Sequence, residues 1–173
     1  TSTVRQLIRA SDNTTLRDLV ARVNDIAKGA ALMTGTTMEA KFYSGVSNLV
    51  GNAPLEQAMQ VEFDKLGPVM FDNEDAAFAD EIRKTLTADD IAASFQRAGR
   101  ETPPDLPLCD FVAPLERPSI GGEGSTDVGD VSWVTPTVQA RVATCAVGTP
   151  FHTWQTVAQG KAPAAHKGMI HAA

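Results

Sequence analysis

Leu16, Leu19, Val20, Val23, Ile26, Ala27 and Ala30 recur at the spacing of an α-helix, with Arg17, Asp18, Arg22, Asp25 and Lys28 on the opposite face. Ser11-Asp12-Asn13-Thr14 supplies the capping chemistry ahead of this helix and Gly35 ends it. Its apolar stripe must be buried against something, and the flanking residues indicate what. Thr3 to Arg9 reads as a strand, and Thr37-Met38-Glu39-Ala40-Lys41-Phe42-Tyr43 alternates as a strand does. Residues 1 to about 48 are therefore expected to form a strand-helix-strand unit. One helix on two strands cannot cover both faces of a sheet, so such a unit needs further strands from elsewhere.

Beyond residue 48 the pattern turns to helices. Pro54 stands at a first-turn position, and Leu55, Ala58, Met59, Phe63 and Leu66 form a stripe that stops at Gly67-Pro68. A second helix is expected from Glu74 to Leu86, and Thr87 caps a third in which Ile91, Ala92 and Phe95 face the core. Five prolines between 99 and 118 predict a long irregular segment across the surface. Val138 to Val147 reads as a strand, followed by a turn at Gly148-Thr149-Pro150 and helices from about His152 and Pro163. The expected class is thus α/β, with residues 1–48 and 49–173 as separate parts. Trp133, Trp154, Phe151 and Met169 are expected in the core by size, and the acidic residues of 72–90 on a solvated helix face.

Composition removes several classes of function. The net charge of −6, with Lys and Arg scattered, argues against a nucleic-acid-binding face. No apolar run approaches the ~18 residues of a membrane span. Cys109 and Cys145 stand far apart, which favours neither a zinc ribbon nor a disulfide scaffold and fits a reducing cytoplasm. The chain opens directly on a strand pattern and closes on a helical one with no stop signal after Ile170, so it reads either as a piece of a longer chain or as a small protein with trimmed ends.

Three places can carry chemistry. Ile120 to Ser132 holds Gly121, Gly122 and Gly124 ahead of Ser125 and Thr126. This is either a cradle for a carboxylate or phosphate or a glycine-rich turn into a capped helix. His152 follows a strand pattern and a Gly-Thr-Pro turn, where an α/β sheet presents functional side chains; it is either a metal ligand or an exposed residue at a helix start. Arg9 closes the first strand, either as a two-pronged clamp for a carboxylate or as a surface charge. His166 and His171 are five apart, roughly 140° around a helix, and are read as non-ligands.

Four blocks occur in order: Leu7-Ile8-Arg9-Ala10-Ser11-Asp12-Asn13, Gly29-Ala30-Ala31-Leu32-Met33-Thr34-Gly35, Ser125-Thr126-Asp127-Val128-Gly129-Asp130-Val131-Ser132-Trp133 and Gly148-Thr149-Pro150-Phe151-His152-Thr153-Trp154-Gln155. Together they resemble the dinuclear-metal amidohydrolases and exopeptidases, a family that includes acetylornithine deacetylase, succinyl-diaminopimelate desuccinylase and the glutamate carboxypeptidases. The resemblance runs along nearly the whole chain and is strongest in 120–160.

It implies a two-domain metallo-exopeptidase-like fold, with residues 1–48 as the second half of an α+β lid and dimerisation domain and 49–173 as the carboxyl-terminal part of the α/β catalytic domain. It implies two divalent metal ions, zinc or manganese, that activate a water, with His152 as the last metal ligand. It also aligns Arg9 with the lid arginine that looks to the substrate's carboxylate, and Gly124, Ser125 and Thr126 with the loop that holds the same end. Most ligands and the general-base Glu are expected upstream of Thr1, so no catalytic residue is expected in this chain, which should be inactive alone.

The implied activity is hydrolysis of the amide bond of an N-acyl or aroyl amino acid, an aroyl-glutamate among them. It would require an upstream segment of the same protein or a separate chain, a homodimer through the lid, and a cytoplasmic location. The competing reading is a non-catalytic dimerisation or interaction module derived from the same family.

Overall fold

The computed structural model describes residues 1–100, 106–115 and 125–173. Among these residues are seven helices: α1 (Asn13–Met33), α2 (Ala53–Leu66), α3 (Asn73–Arg83), α4 (Ala88–Arg97), α5 (Val128–Ser132), α6 (Trp154–Gln159) and α7 (Pro163–Ala172). The chain divides into two units, the first Thr1–Gly51 with Gly122–Thr137 and the second Asn52–Gly121 with Val138–Ala173.

In the first unit α1 starts where the sequence places it. The Asp12 carboxylate accepts from the Thr15 N–H at 2.8 Å, which satisfies one of the amides a helix leaves open at its start. At the far end Gly35 takes φ 62° and the Thr36 N–H donates to Ala31 O at 2.9 Å, so the chain leaves the helix through a left-handed residue. Yet α1 buries no residue: Leu16, Leu19 and Val23 are half-buried and Ile26 is exposed.

The strands expected at 3–9 and 37–43 are not formed as ladders; both stretches carry neither helix nor strand among the described residues. One residue of each stretch meets the other, the Arg5 guanidinium lying 5.5 Å from the centre of the Tyr43 ring. Alternating apolar residues permit a strand, but a strand exists only through a hydrogen-bonded neighbour, and Leu7 at 91% and Phe42 at 87% exposure have none to pack on. The stretch 138–147 likewise forms no strand.

The second unit holds the core. Ala79 and Ile82 of α3, Ala164 of α7, and Leu108 and Ala146 between helices form one buried cluster, with Phe71 packed against it. Phe95 of α4 is 1% exposed, as its place on the expected apolar face requires. The helices begin at local caps: the Asn52 side chain accepts from the Leu55 N–H, while Asp72 with Asp75 and Thr87 with Asp90 form reciprocal capping boxes. The proline-rich stretch is irregular over 106–115, but it does not only cross the surface. Leu108 enters the core, the Val147 N–H donates to Pro107 O at 2.8 Å, and the Arg100 guanidinium lies 3.8 Å from the centre of the Phe111 ring.

Helix α7 sits so close to the backbone at Ala143 that a β-carbon on Gly168 would come within 2.0 Å of Ala143 O. Lys167 on the same helix reaches both Asp72 and Asp75. Asp75 corrects the expectation of a uniformly solvated acidic face, since its side chain is 1% exposed. The four large apolar residues placed in the core by size are also corrected: Trp133, Trp154, Phe151 and Met169 are all more than half exposed. Size favours burial only where a neighbouring element offers a surface to pack on.

Candidate functional site

The turn that carries His152 is built from its own neighbours. Gly148 takes φ 96°, a conformation that a side chain would strain, and a β-carbon there would come within 2.7 Å of Ile91 on α4. The Thr149 N–H donates to Ala146 O at 3.1 Å and its hydroxyl donates to the same oxygen at 2.7 Å. Pro150 O then accepts two hydroxyls, from Thr153 at 2.8 Å and from Thr156 at 2.7 Å. Thr153 also caps α6.

Between these anchors His152 is exposed and has φ 64°, the one positive φ outside glycine among the described residues. Among residues with a β-carbon, His adopts this conformation more readily than most, as Asn and Asp do, but it still costs of order 1–3 kcal/mol, and such residues cluster at functional sites.

Arg9, Ser125 and Thr126 belong to the first unit. Arg9 and Ser125 are exposed and Thr126 is half-buried. Gly124 lies outside the described residues. The Thr126 hydroxyl accepts from the Val128 N–H at 3.3 Å at the start of α5, and Thr126 O accepts from the Gly129 N–H at 2.9 Å. Thr126 thus acts as a local turn acceptor, while Ser125 next to it stays exposed.

Helix α5 and the residue after it form a clamp on residues 47–50 that sequence reading did not anticipate. The Ser47 N–H donates to Asp130 at 2.8 Å, the Val50 N–H to the Ser132 hydroxyl at 2.8 Å, and the Trp133 indole N–H to Asn48 O at 2.9 Å. Hydrogen bonds from the Ser47 side chain and then from its backbone N–H hold the Asp130 carboxyl below its ordinary range. A β-carbon on Gly129 would lie 2.0 Å from Ser47 O, so only glycine permits this approach.

His152 fits one position of a metal site, being an exposed imidazole on a fixed backbone. The other positions are not filled here: among the described residues no three His, Cys, Asp or Glu side chains gather closely enough to hold an ion. A catalytic zinc typically takes three protein ligands. His171 is otherwise engaged, with its Nε2 3.0 Å from Gly67 O, and His166 is exposed on α7. The two thiols are desolvated by burial, which raises both above the ordinary cysteine range and makes them poor nucleophiles.

A glycine-bounded turn that presents one strained histidine, and a hydroxyl-bearing loop ahead of a short helix, are the two blocks on which the resemblance is strongest. Comparison with known proteins finds a hydrolase similar to nearly the whole of this chain. The relative is one subunit of the p-aminobenzoyl-glutamate hydrolase of Escherichia coli (strain K12), with 42% identity over an alignment of 184 residues that takes in 98% of this chain and 37% of the relative. The four sequence blocks point to this same hydrolase within the family, and the comparison bears that out. The chain spans little more than a third of that protein's length. No family model matches the chain, and no solved structure does.

Proposed function

We propose that the chain is the carboxyl-terminal portion of a metal-dependent amidohydrolase that cleaves the amide bond of an N-acyl or aroyl amino acid, an aroyl-glutamate in particular. The observation that carries this reading is His152: the residue to which the family resemblance assigns a metal is also the residue whose backbone is held at φ 64°. The name of the relative supports the substrate class.

On this reading, residues 1–48 belong to an α+β lid and dimerisation domain and 49–173 to an α/β catalytic domain. His152 holds one of two divalent ions, zinc or manganese, through a ring nitrogen; when bound, these ions polarise the amide carbonyl and lower the pKa of a water. Arg9 grips the substrate's carboxylate with paired N–H donors. Gly124, Ser125 and Thr126 offer backbone and hydroxyl donors to the same end. The general base is a Glu contributed by a part of the protein outside these residues, or by a separate chain. A homodimer, a second subunit and a cytoplasmic location complete the proposal; no helix among the described residues is long and apolar enough to cross a membrane.

The test is metal content and aroyl-glutamate hydrolysis of the complete protein beside its His152→Ala variant. The expected result is loss of about one metal equivalent and of turnover. Unchanged metal and activity in the variant would remove His152 from the site. A complete protein with neither metal nor activity would favour the dimerisation or interaction module.

A further inference from the structure

Gln159 is 3% exposed, a polar side chain buried at the end of α6 with every hydrogen-bonding group directed at the turn before His152 or at its own helix. Its Oε1 accepts from the Ala146 N–H at 2.7 Å. Its Nε2 donates to the Thr149 hydroxyl at 3.0 Å and to Gln155 O at 3.0 Å. Since the Thr149 hydroxyl donates in turn to Ala146 O, the bonds close a ring: Ala146 N–H to Gln159, Gln159 to Thr149, Thr149 back to Ala146 O. The ring requires an acceptor and a donor on the same side-chain terminus, because a backbone N–H and a hydroxyl already donating elsewhere must both be met. The Gln carboxamide supplies both, and Asn is one methylene too short. Glu offers acceptors alone, which would leave the Thr149 oxygen without its donor.

The ring holds the turn from Ala146 to Thr149 upstream of His152. Nearer His152, Pro150 O is held by the Thr153 and Thr156 hydroxyls. Thr153, Thr156 and Gln159 recur every three residues, which puts all three on one face of α6, toward the turn. Phe151 is exposed. These bonds hold the chain as far as Pro150, two residues before the positive φ of His152, and a buried amide satisfied at both ends is costly to disturb.

We propose that Gln159 is a positioning residue for His152: through the ring with Ala146 and Thr149 it fixes the backbone from which the imidazole is presented to a metal ion. This rests on the reading of His152 as a ligand. Outer partners that orient metal ligands typically change metal affinity 10–100-fold when removed.

The experiment compares Gln159→Met, Thr149→Val, His152→Ala and the core variant Ile82→Val in the complete protein. It measures cobalt(II) affinity from the visible absorption of the bound ion, and hydrogen exchange of the peptide covering 146–153 by mass spectrometry. Gln159→Met should weaken cobalt binding about 10-fold or more and speed exchange in that peptide, with α3 and α7 unchanged. Thr149→Val should act in the same direction less strongly, which keeps the test open if Gln159→Met does not fold. Ile82→Val destabilises the same unit without touching the ring and should leave cobalt binding as it was.

An unchanged cobalt affinity in Gln159→Met and Thr149→Val, in a protein where His152→Ala loses an ion, would overturn the proposal. So would an equal loss in Ile82→Val. If His152→Ala keeps its full complement of cobalt, the ligand reading fails instead, and exchange of the 146–153 peptide alone then decides whether Gln159 holds the turn.

Discussion

Lys167 ties α7 to the start of α3 through two carboxylates of different character. Asp72 caps α3 and is largely exposed, whereas the Asp75 side chain is 1% exposed and accepts from the Asp72 N–H at 3.0 Å as well as from Lys167. A buried carboxylate must be paired, so Lys167 is required less for attraction than to avoid an isolated charge. The hydrogen bond from Lys167 holds the Asp72 carboxyl below its ordinary value of 3.8. Hydrogen bonds to Asp72 and then Asp75 hold the Lys167 ammonium above its ordinary 10.5. The Asp72 contribution to stability is present above 3.8 and is lost as pH falls through the lowered folded value. The Lys167 contribution is complete below 10.5 and is lost as pH rises through the raised folded value. Lys167→Met should therefore melt earlier than the unaltered chain by a margin that is constant from about pH 4 to 10 and shrinks outside that window. Thermal melts across the range check this, and equal melting temperatures at pH 7 would show that Asp75 finds another partner. Asp75→Asn combined with Lys167→Met should recover part of the loss, because no buried charge is then left alone.

Three glycines in helices show how the elements set the sign of one substitution. Gly29, inside α1, has nothing within 4 Å of an added β-carbon, so Gly29→Ala should stabilise by about 0.5–1 kcal/mol from helix propensity alone. Gly129 in α5 and Gly168 in α7 each face a backbone oxygen at 2.0 Å, which no rotamer change can relieve. Alanine at either should destabilise by about 1–3 kcal/mol, read from urea unfolding, and Gly129→Ala should also free residues 47–50 from α5. The helix ends themselves were legible because their signals are local: Asp12, Pro54, Thr87 and Pro163 act on the next three or four residues, and Gly67 on the four before it. His152 and Thr126 were legible as singular residues at turns. Gln159 was not, since a glutamine in a short helix looks like any exposed polar residue until the turn it meets, more than ten residues back at Ala146, is in place. The spacing of Thr153, Thr156 and Gln159 was the available signal. Asp75 was hidden for the same reason, as its partner lies 92 residues away.

At the scale of the whole chain, apolar burial is unevenly shared. The second unit buries Val69, Ile82, Phe95 and Leu108 with four alanines, while α1, at 21 residues the longest helix described, buries no residue. Fully burying a side chain such as Val, Leu, Ile or Phe stabilises by about 1.5–3 kcal/mol, so a half-covered stripe leaves a helix held largely by its own hydrogen bonds and caps. This is also why the alternation at 3–9 and 37–43 misled as to strands. It reports which faces are apolar, not which surface covers them, and the unit they flank was expected to need strands from elsewhere. Hydrogen exchange resolves the difference, because amides report the free energy of the smallest opening that frees them. In this chain alone, the amides of α1 should exchange through local opening at low cost, while those of α3 and α7 exchange only with unfolding of their unit. If the proposed lid and catalytic domains are right, the complete protein should slow exchange in α1 at least tenfold and leave α3 and α7 nearly as they were, since only the stripe of Leu16, Leu19 and Val23 gains cover. Slow exchange of α1 in the isolated chain would mean that the stripe is already covered, and the expected need for a sheet from elsewhere would fall with it.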